Sequence, residues 1–259
     1  MKQLLNSVWK TFIHYYLWIF CSVPFSFFGL YTAYEKIKPN VVYQLALQRR
    51  TAVLTLFQNS NSVHNVISGK PGSGKSLFES ILARSLSGTS YVSFPINDER
   101  IHPLLWGNID LNDPHHFLLP SHSNLFFDEI GTFGNWSDPK NANKQFPGVL
   151  NYLKFARHFQ HRCFFANQRL GGGVWIEIRE LTDLFVETLG LTKYPNFSTL
   201  KLRISNNEEM SNSTTYSILI EKADFQAYES RWMEPLIRIK NEWLKRTDSK
   251  LVPSFLVAK

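Results

Sequence analysis

The chain has 259 residues, of which 44% are hydrophobic, 19% charged and 15% aromatic. This composition supports a large buried core and excludes an intrinsically disordered chain. Two cysteines, Cys21 and Cys163, are too few for a disulfide scaffold or an all-cysteine zinc site. The net charge of +7 is mild and suits a polyanionic partner such as nucleic acid or a lipid surface.

A segment without charged residues covers residues 11–34. As a helix it would measure about 36 Å, enough to cross a hydrocarbon core of about 30 Å. We therefore expect an N-terminal transmembrane helix, with residues 1–36 as the membrane anchor. An interfacial hairpin broken at Pro24 and a buried aromatic helix are the alternatives. More basic residues follow the segment than precede it, which predicts a single-pass protein whose C-terminal bulk is cytoplasmic.

After the apolar segment, the pattern predicts a linker and the start of a domain at residues 37–61. Strand-like and helix-like segments then alternate, which is typical of a parallel sheet with crossover helices. The expected strands are at 63–68, 91–96, 124–129, 163–167 and 184–188, and a β-hairpin is expected from alternation at 200–204 and 216–220. The fold class is therefore α/β. We expect one domain over residues 62–233 and a basic tail over residues 234–259.

A glycine-rich motif directly follows the first strand. Residues 69–76 read GKPGSGKS and match G-x-x-x-x-G-K-[ST] in full. Glycines allow successive N–H groups to face an anion, and the N-terminus of the following helix favours negative charge. Lys75 is expected to reach the β- and γ-phosphates, and Ser76 to bind Mg²⁺. The expected nucleotide-binding residues are Gly69, Lys70, Pro71, Gly72, Ser73, Gly74, Lys75, Ser76 and Leu77.

Two carboxylates end an apolar strand further along the chain. The sequence LFFDE places Asp128 and Glu129 directly after three apolar residues. Asp128 is expected beside Ser76 in the magnesium shell, and Glu129 is expected to polarise the attacking water. A glutamate next to the metal-binding aspartate favours hydrolysis over transfer to a small molecule, which has to exclude water.

A third polar residue follows the strand at 163–167. Gln168 is expected to sense the γ-phosphate or to position the water. Four arginines surround this part of the sequence, and one of them is a candidate to act across a subunit boundary. They are Arg157, Arg162, Arg169 and Arg179.

With these motifs in view, the chain resembles the zonular occludens toxin-like family, which includes the assembly ATPases of filamentous phages. The resemblance rests on GKPGSGKS at 69–76, FFDEIG at 126–131, the segment from Pro147 to His158 and the strand that ends in Gln168. The sequence AYESR at 227–231 also looks like the tyrosine-containing end of the family's domain.

The resemblance implies a P-loop NTPase of the FtsK/HerA type that uses ATP and Mg²⁺, with Lys75, Glu129 and Gln168 as catalytic residues. It implies a homo-oligomeric ring, such as a hexamer, at the inner or cytoplasmic membrane of a host cell. The implied activity is export of phage DNA, with single-stranded DNA favoured, during virion assembly with coat or export-channel proteins. Two alternatives stay open: a DNA-packaging or conjugative coupling ATPase, and a nucleotide-gated membrane scaffold with little hydrolysis.

Overall fold

The computed structural model describes Tyr31 and residues 37–103, 119–129, 152–170, 174 and 176–228. The chain divides into two compact units, residues 1–45 and residues 46–259. Residues 37–59 are helical, and we label the part that belongs to the second unit, residues 46–59, helix α1. The remaining elements all belong to the second unit.

The second unit is built on one sheet with the strand order β3-β2-β4-β5-β1-β6-β7-β8. Its strands are β1 (His64–Ser68), β2 (Ser90–Val92), β3 (Ile101–Pro103), β4 (Asn124–Phe127), β5 (Arg162–Asn167), β6 (Leu184–Lys193), β7 (Ser198–Ser205) and β8 (Thr214–Ile220). In the described residues, α1 is followed by helices α2 (Lys75–Ser85), α3 (Ile176–Leu181) and α4 (Lys222–Ala227).

The first six strands in the sheet order, β3, β2, β4, β5, β1 and β6, are parallel to one another. Strands β7 and β8 add an antiparallel hairpin to β6. The predicted, mostly parallel sheet and the predicted hairpin are thus both confirmed. Helix α2 connects β1 to β2, and the parallel pairing requires such a crossover. The central strand β1 has β5 on one side and β6 on the other, so its carboxyl end lies in the middle of the sheet edge.

Side chains alternate between the two faces of the sheet along its central strands, and both faces are buried. Phe126 and Phe164 point to one face, with their rings stacked at 4.5 Å between centroids. Phe127 and Phe165 point to the other face, with their rings stacked at 5.1 Å. The first face packs against α1 and α2, and the second packs against α3 and the helical turn at 152–155.

The sequence predicted a linker and the start of a domain at residues 37–61. The structure shows residues 37–59 as helical, and the second unit begins at residue 46. The part of this helix in the second unit has a narrow apolar stripe. Ala46, Val53 and Phe57 are buried and recur at spacings of seven and four residues, so that they share one helix face. The intervening positions mix polar residues with exposed apolar ones such as Leu47 and Leu56, so the buried stripe is difficult to recognise in the sequence.

The predicted membrane segment, residues 11–34, lies outside the described residues except for Tyr31. In the described part of the chain, no helix is both long and apolar enough to cross a bilayer. The basic tail at residues 234–259 also lies outside the described residues.

Helix α4 is held in place by one buried carboxylate. Asp224 is 3% exposed and accepts two hydrogen bonds from Arg50 of α1, at 2.6 and 3.0 Å. Arg84 of α2 approaches the same carboxylate at 3.3 Å. Asp224 also accepts the backbone N–H of Glu221 at the start of its own helix. One side chain therefore joins α1, α2 and α4.

We expect Asp224→Ala to lower the free energy of unfolding by about 3 kcal/mol, because it removes the buried carboxylate that two partly buried guanidinium groups share. Urea unfolding of the full chain measures this loss. The matched control is Glu208→Ala, which breaks the ion pair of Arg179 with a carboxylate that is 41% exposed. The control should lose less than about 1 kcal/mol. Equal losses in the two variants would contradict the anchoring role.

Candidate phosphate-binding and acidic site

The site begins where β1 ends and α2 starts. Gly74 caps the helix in a left-handed conformation with φ 98°, and no side chain caps the first turn of α2. This turn also lacks an acidic residue. The N–H groups at the helix start, together with the positive end of the helix dipole, therefore favour an anion such as phosphate.

The first glycine of the loop is required by its surroundings. Gly69 has φ 151°, and a Cβ atom added there would lie 2.2 Å from Oγ1 of Thr188 and 2.7 Å from the Thr188 carbonyl oxygen. The Thr188 hydroxyl donates to the Ser68 carbonyl at 3.1 Å, so the Ser73 hydroxyl donates to Thr188 at 2.6 Å. Strand β6 thus fixes both ends of the loop's first turn.

Lys75 lies across this loop. Its ammonium group donates to the carbonyl oxygens of Gly69 at 3.1 Å and of Lys70 at 3.4 Å, and the residue is 5% exposed. A buried cation held over a loop of N–H groups is the arrangement that a phosphate-binding lysine requires.

The hydroxyl of Ser76 and the carboxylate of Asp128 meet next to the loop. Ser76 Oγ donates to Asp128 Oδ2 at 2.6 Å. Burial raises the pKa of Asp128, while the hydrogen bond from Ser76 and the charge of Lys75 act in the opposite direction. Magnesium prefers oxygen ligands of these two kinds. The pair therefore fits the predicted metal, and Ser76 and Asp128 are the residues that would hold it.

Glu129 and Gln168 lie at the same edge of the sheet. Glu129 adopts φ 50°, and its backbone N–H donates to Asp128 Oδ1 at 2.9 Å. Gln168 Nε2 donates to Glu129 Oε1 at 3.5 Å, a long hydrogen bond. The parallel register explains the meeting, since Phe127 is level with Phe165 and both strands end shortly afterwards. The structure brings Asp128, Glu129 and Gln168 to the phosphate loop. Their roles in metal binding and catalysis stay predictions.

The four arginines separate into two groups. Arg162 is the first residue of β5, and Arg157 pairs at 3.6 Å with Asp183, which precedes β6. Both therefore lie at the amino ends of the strands, away from the loop. Arg179 is paired with Glu208. Arg169 follows Gln168 and shares a cleft of about 300 Å³ with Gly69 and Lys70, so it is the one of these four that lies beside the loop of its own chain. Arg203, which pairs with Glu187, lines the same cleft.

The sequence reasoning missed a buried glutamate behind the site. Glu79 is 0% exposed, and among the described residues neither of its carboxylate oxygens has a hydrogen-bond partner. Burial raises its pKa well above the usual range, and the nearby charge of Asp128 adds to this effect. Its position one helical turn after Lys75 and Ser76 was the available signal, because that spacing places it on the same face of α2.

The reasoning also missed three residues of the nucleotide-sized cleft beside the loop, which has a volume of about 520 Å³. Leu191 comes from β6, Phe225 from α4, and Tyr228 directly follows α4. Tyr228 and Ser76 line the same cleft, and burial raises the pKa of Tyr228. Leu77 lines the cleft as well, although it is 4% exposed and belongs mainly to the core.

The loop, the acidic strand end and the parallel sheet together form the architecture of a P-loop NTPase. No protein-family model matches the chain. It is 31% identical over 157 residues to the uncharacterized protein ORF2 of Spiroplasma virus SpV1-C74, and 30% identical over 132 residues to that of Spiroplasma virus SpV1-R8A2 B. These matches cover 60% and 50% of this chain. The chain spans 45% and 39% of these two relatives, less than half of their length.

Among solved structures, the chain is similar to the N-terminal domain of zonular occludens toxin from Neisseria meningitidis, with 13% identity and a TM-score of 0.45. That match covers 65% of this chain and 100% of the other. The genome-packaging NTPase B204 of Sulfolobus turreted icosahedral virus 2 has 12% identity and a TM-score of 0.44, over 62% and 99% of the two chains. The first neighbour carries the name of the family that the sequence motifs resemble. At these values the likeness is one of fold, and it assigns neither activity nor family membership.

We expect Glu79→Gln to stabilise the protein at high pH. A raised folded-state pKa means that Glu79 destabilises the fold as the pH rises through that pKa, whereas below the unfolded-state pKa this loss is absent. The neutral amide should therefore raise the free energy of unfolding by about 1 kcal/mol or more at pH 8, and the gain should shrink towards pH 5. Urea unfolding at both pH values measures the difference.

The control for this experiment is Glu180→Gln on the exposed side of α3. It should change the free energy of unfolding by less than about 0.5 kcal/mol at either pH. A gain for Glu79→Gln that is the same at pH 5 and pH 8 would mean that the charge of Glu79 is not its cause.

Proposed function

We propose that this protein is a magnesium-dependent P-loop ATPase that couples ATP hydrolysis to the movement of viral DNA during virion assembly at a membrane. One observation carries the ATPase part of the proposal. The Ser76 hydroxyl lies 2.6 Å from the Asp128 carboxylate, at the start of the helix that follows a complete phosphate loop. A glycine-rich loop without a phosphate-binding role does not require a serine and an aspartate in contact at the start of the next helix.

The proposed chemistry follows from the positions of these side chains. The loop N–H groups and Lys75 would hold the β- and γ-phosphates of ATP, with Lys75 exchanging its carbonyl contacts for phosphate oxygens. The metal held by Ser76 and Asp128 supplies positive charge that offsets the phosphate oxygens. Glu129 would accept a proton from the water that attacks the γ-phosphorus, and Gln168 would orient Glu129 or that water.

The DNA and membrane parts of the proposal rest on different observations. The two curated relatives are proteins of Spiroplasma viruses. The chain carries a net charge of +7, which favours a polyanion, and residues 11–34 contain no charged side chain. Single-stranded DNA is the preferred substrate through the resemblance to the phage assembly ATPases. Duplex packaging uses the same catalytic residues and is the second candidate.

We expect the full chain, purified in a mild detergent, to hydrolyse ATP with Mg²⁺ and to do so several-fold faster when single-stranded DNA is added. Steady-state phosphate release is measured without DNA, with single-stranded DNA and with duplex DNA. Lys75→Ala is the blank, because it removes the cation that contacts the transferred phosphate.

The three outcomes separate the candidates. A rise with single-stranded DNA supports the export motor, and a rise with duplex DNA alone supports packaging. If the wild-type chain binds ATP but releases no phosphate under any of these conditions, the motor is excluded in favour of a nucleotide-gated scaffold.

We expect Glu129→Gln to lower the turnover number by about 10²-fold or more while it leaves ATP affinity within a few-fold of wild type. The amide cannot accept the proton of the attacking water, and general-base catalysis contributes about 10²–10⁴-fold. Gln168→Glu adds a carboxylate at the neighbouring position and tests whether the base can be moved. A turnover number that survives Glu129→Gln would assign the base to another residue.

A further inference from the structure

The cleft of about 520 Å³ beside the phosphate loop has a polar part and an apolar part. Four of its described polar side chains already have a use at the phosphates, at the metal or in hydrolysis. The apolar part has no such use, and it is formed by the side chains of Leu191 and Phe225 together with the outer side of the loop at Pro71 and Gly72. The four polar side chains are Lys75, Ser76, Asp128 and Glu129.

Phe225 lines this cleft and is 42% exposed, whereas the preceding residue of α4, Asp224, is buried. It belongs to neither of the two hydrophobic clusters of the described core. An aromatic ring that is left open in a cleft, rather than scattered singly on a surface, indicates a site that another flat apolar group can occupy.

The backbone that carries Phe225 is held in place on both sides of this residue. The preceding residue, Asp224, is bound to Arg50 and Arg84, so the helix cannot move away from the cleft without breaking a buried ion pair. On the other side of Phe225, the backbone carbonyl of Ala227 accepts the N–H of Asn97 at 2.9 Å. Because the backbone is already held, a ligand that stacks on the ring costs little backbone entropy.

Leu191 connects this apolar part to the phosphate loop. A Cβ atom added to Gly74 would lie 3.8 Å from Leu191 Cγ, so the leucine is in van der Waals range of the residue that caps α2. The apolar part therefore begins next to the phosphate-binding turn, where the remainder of a bound nucleotide has to lie.

We propose that Phe225 is the surface on which the base of the bound nucleotide stacks, with Leu191 completing the apolar part of the base site. This inference rests on the proposed function and specifies how the same site holds its substrate. Stacking of a base on an aromatic ring is tolerant of base identity, because every base has a π face.

The same geometry predicts weak selectivity between purines. Among the described lining residues, Tyr228 has the one polar side chain without a role in the proposed chemistry. Discrimination between bases comes from hydrogen bonds to their edges. The Tyr228 hydroxyl can both donate and accept a hydrogen bond and so would not select one purine over the other. We therefore expect ATP and GTP to bind with affinities within a few-fold of each other.

The test uses the full chain with Mg²⁺ and measures dissociation constants for ATP, GTP and inorganic tripolyphosphate, which has phosphates but no base. Phe225→Ala should weaken ATP and GTP about tenfold and leave tripolyphosphate within twofold of wild type. Phe225→Tyr is the matched control that keeps the ring, and it should bind ATP within twofold of wild type. Phe225→Leu keeps the apolar volume without the ring and should lie between the two.

Two results would overturn the inference: ATP affinity within twofold of wild type in Phe225→Ala, or a loss for tripolyphosphate as large as that for ATP. The second result would mean that Phe225 acts on the shape of the loop. The failure of the proposed function gives a different pattern, in which the wild-type chain binds neither ATP nor tripolyphosphate and Lys75→Ala changes nothing.

Discussion

The parallel pairing of β4, β5 and β1 is the constraint on which the site depends. Parallel strands end at the same edge of a sheet, so whatever follows each strand must meet there. In this chain the three continuations are Asp128 with Glu129, Gln168, and the loop that begins at Gly69. The two stacked phenylalanine pairs on opposite faces of β4 and β5 keep the register that sets this meeting. A slip of one residue would turn both acids towards the wrong side.

Two carboxyl groups are buried at or behind the phosphate site, and few groups nearby stabilise their negative charge. Asp128 and Glu79 are both buried, and the pKa of each is raised by that burial. Lys75 is the cation near both carboxyls. Such an arrangement is expensive for the fold alone, and it is common where a protein prepares a place for a charged ligand. The local cost is offset by the extensive apolar packing on both faces of the sheet.

Local motifs made much of the fold predictable, whereas contacts between distant segments did not. The phosphate loop, the acid pair and Gln168 follow recognisable strands, and the rule for parallel strand ends is sufficient to bring them together. Helix α1 was not recognised as a helix, because its buried stripe is narrow and its remaining positions mix polar residues with exposed leucines. Phe225 and Tyr228 reach the cleft only because Asp224 joins α4 to Arg50 and Arg84, at sequence separations of 174 and 140 residues. No spacing rule connects residues so far apart.

The contact between Gly69 and Thr188 has a consequence for sequence variation in this protein. Any larger residue at position 69 would meet two atoms of Thr188, the side-chain oxygen and the backbone carbonyl oxygen. Replacing Thr188 with a smaller residue removes only the first obstacle, because every amino acid carries the carbonyl. A genetic screen for second-site suppressors of a Gly69 substitution should therefore find none at position 188. Sequence changes in the loop and in strand β6 must therefore leave unchanged the distance between the backbones of Gly69 and Thr188.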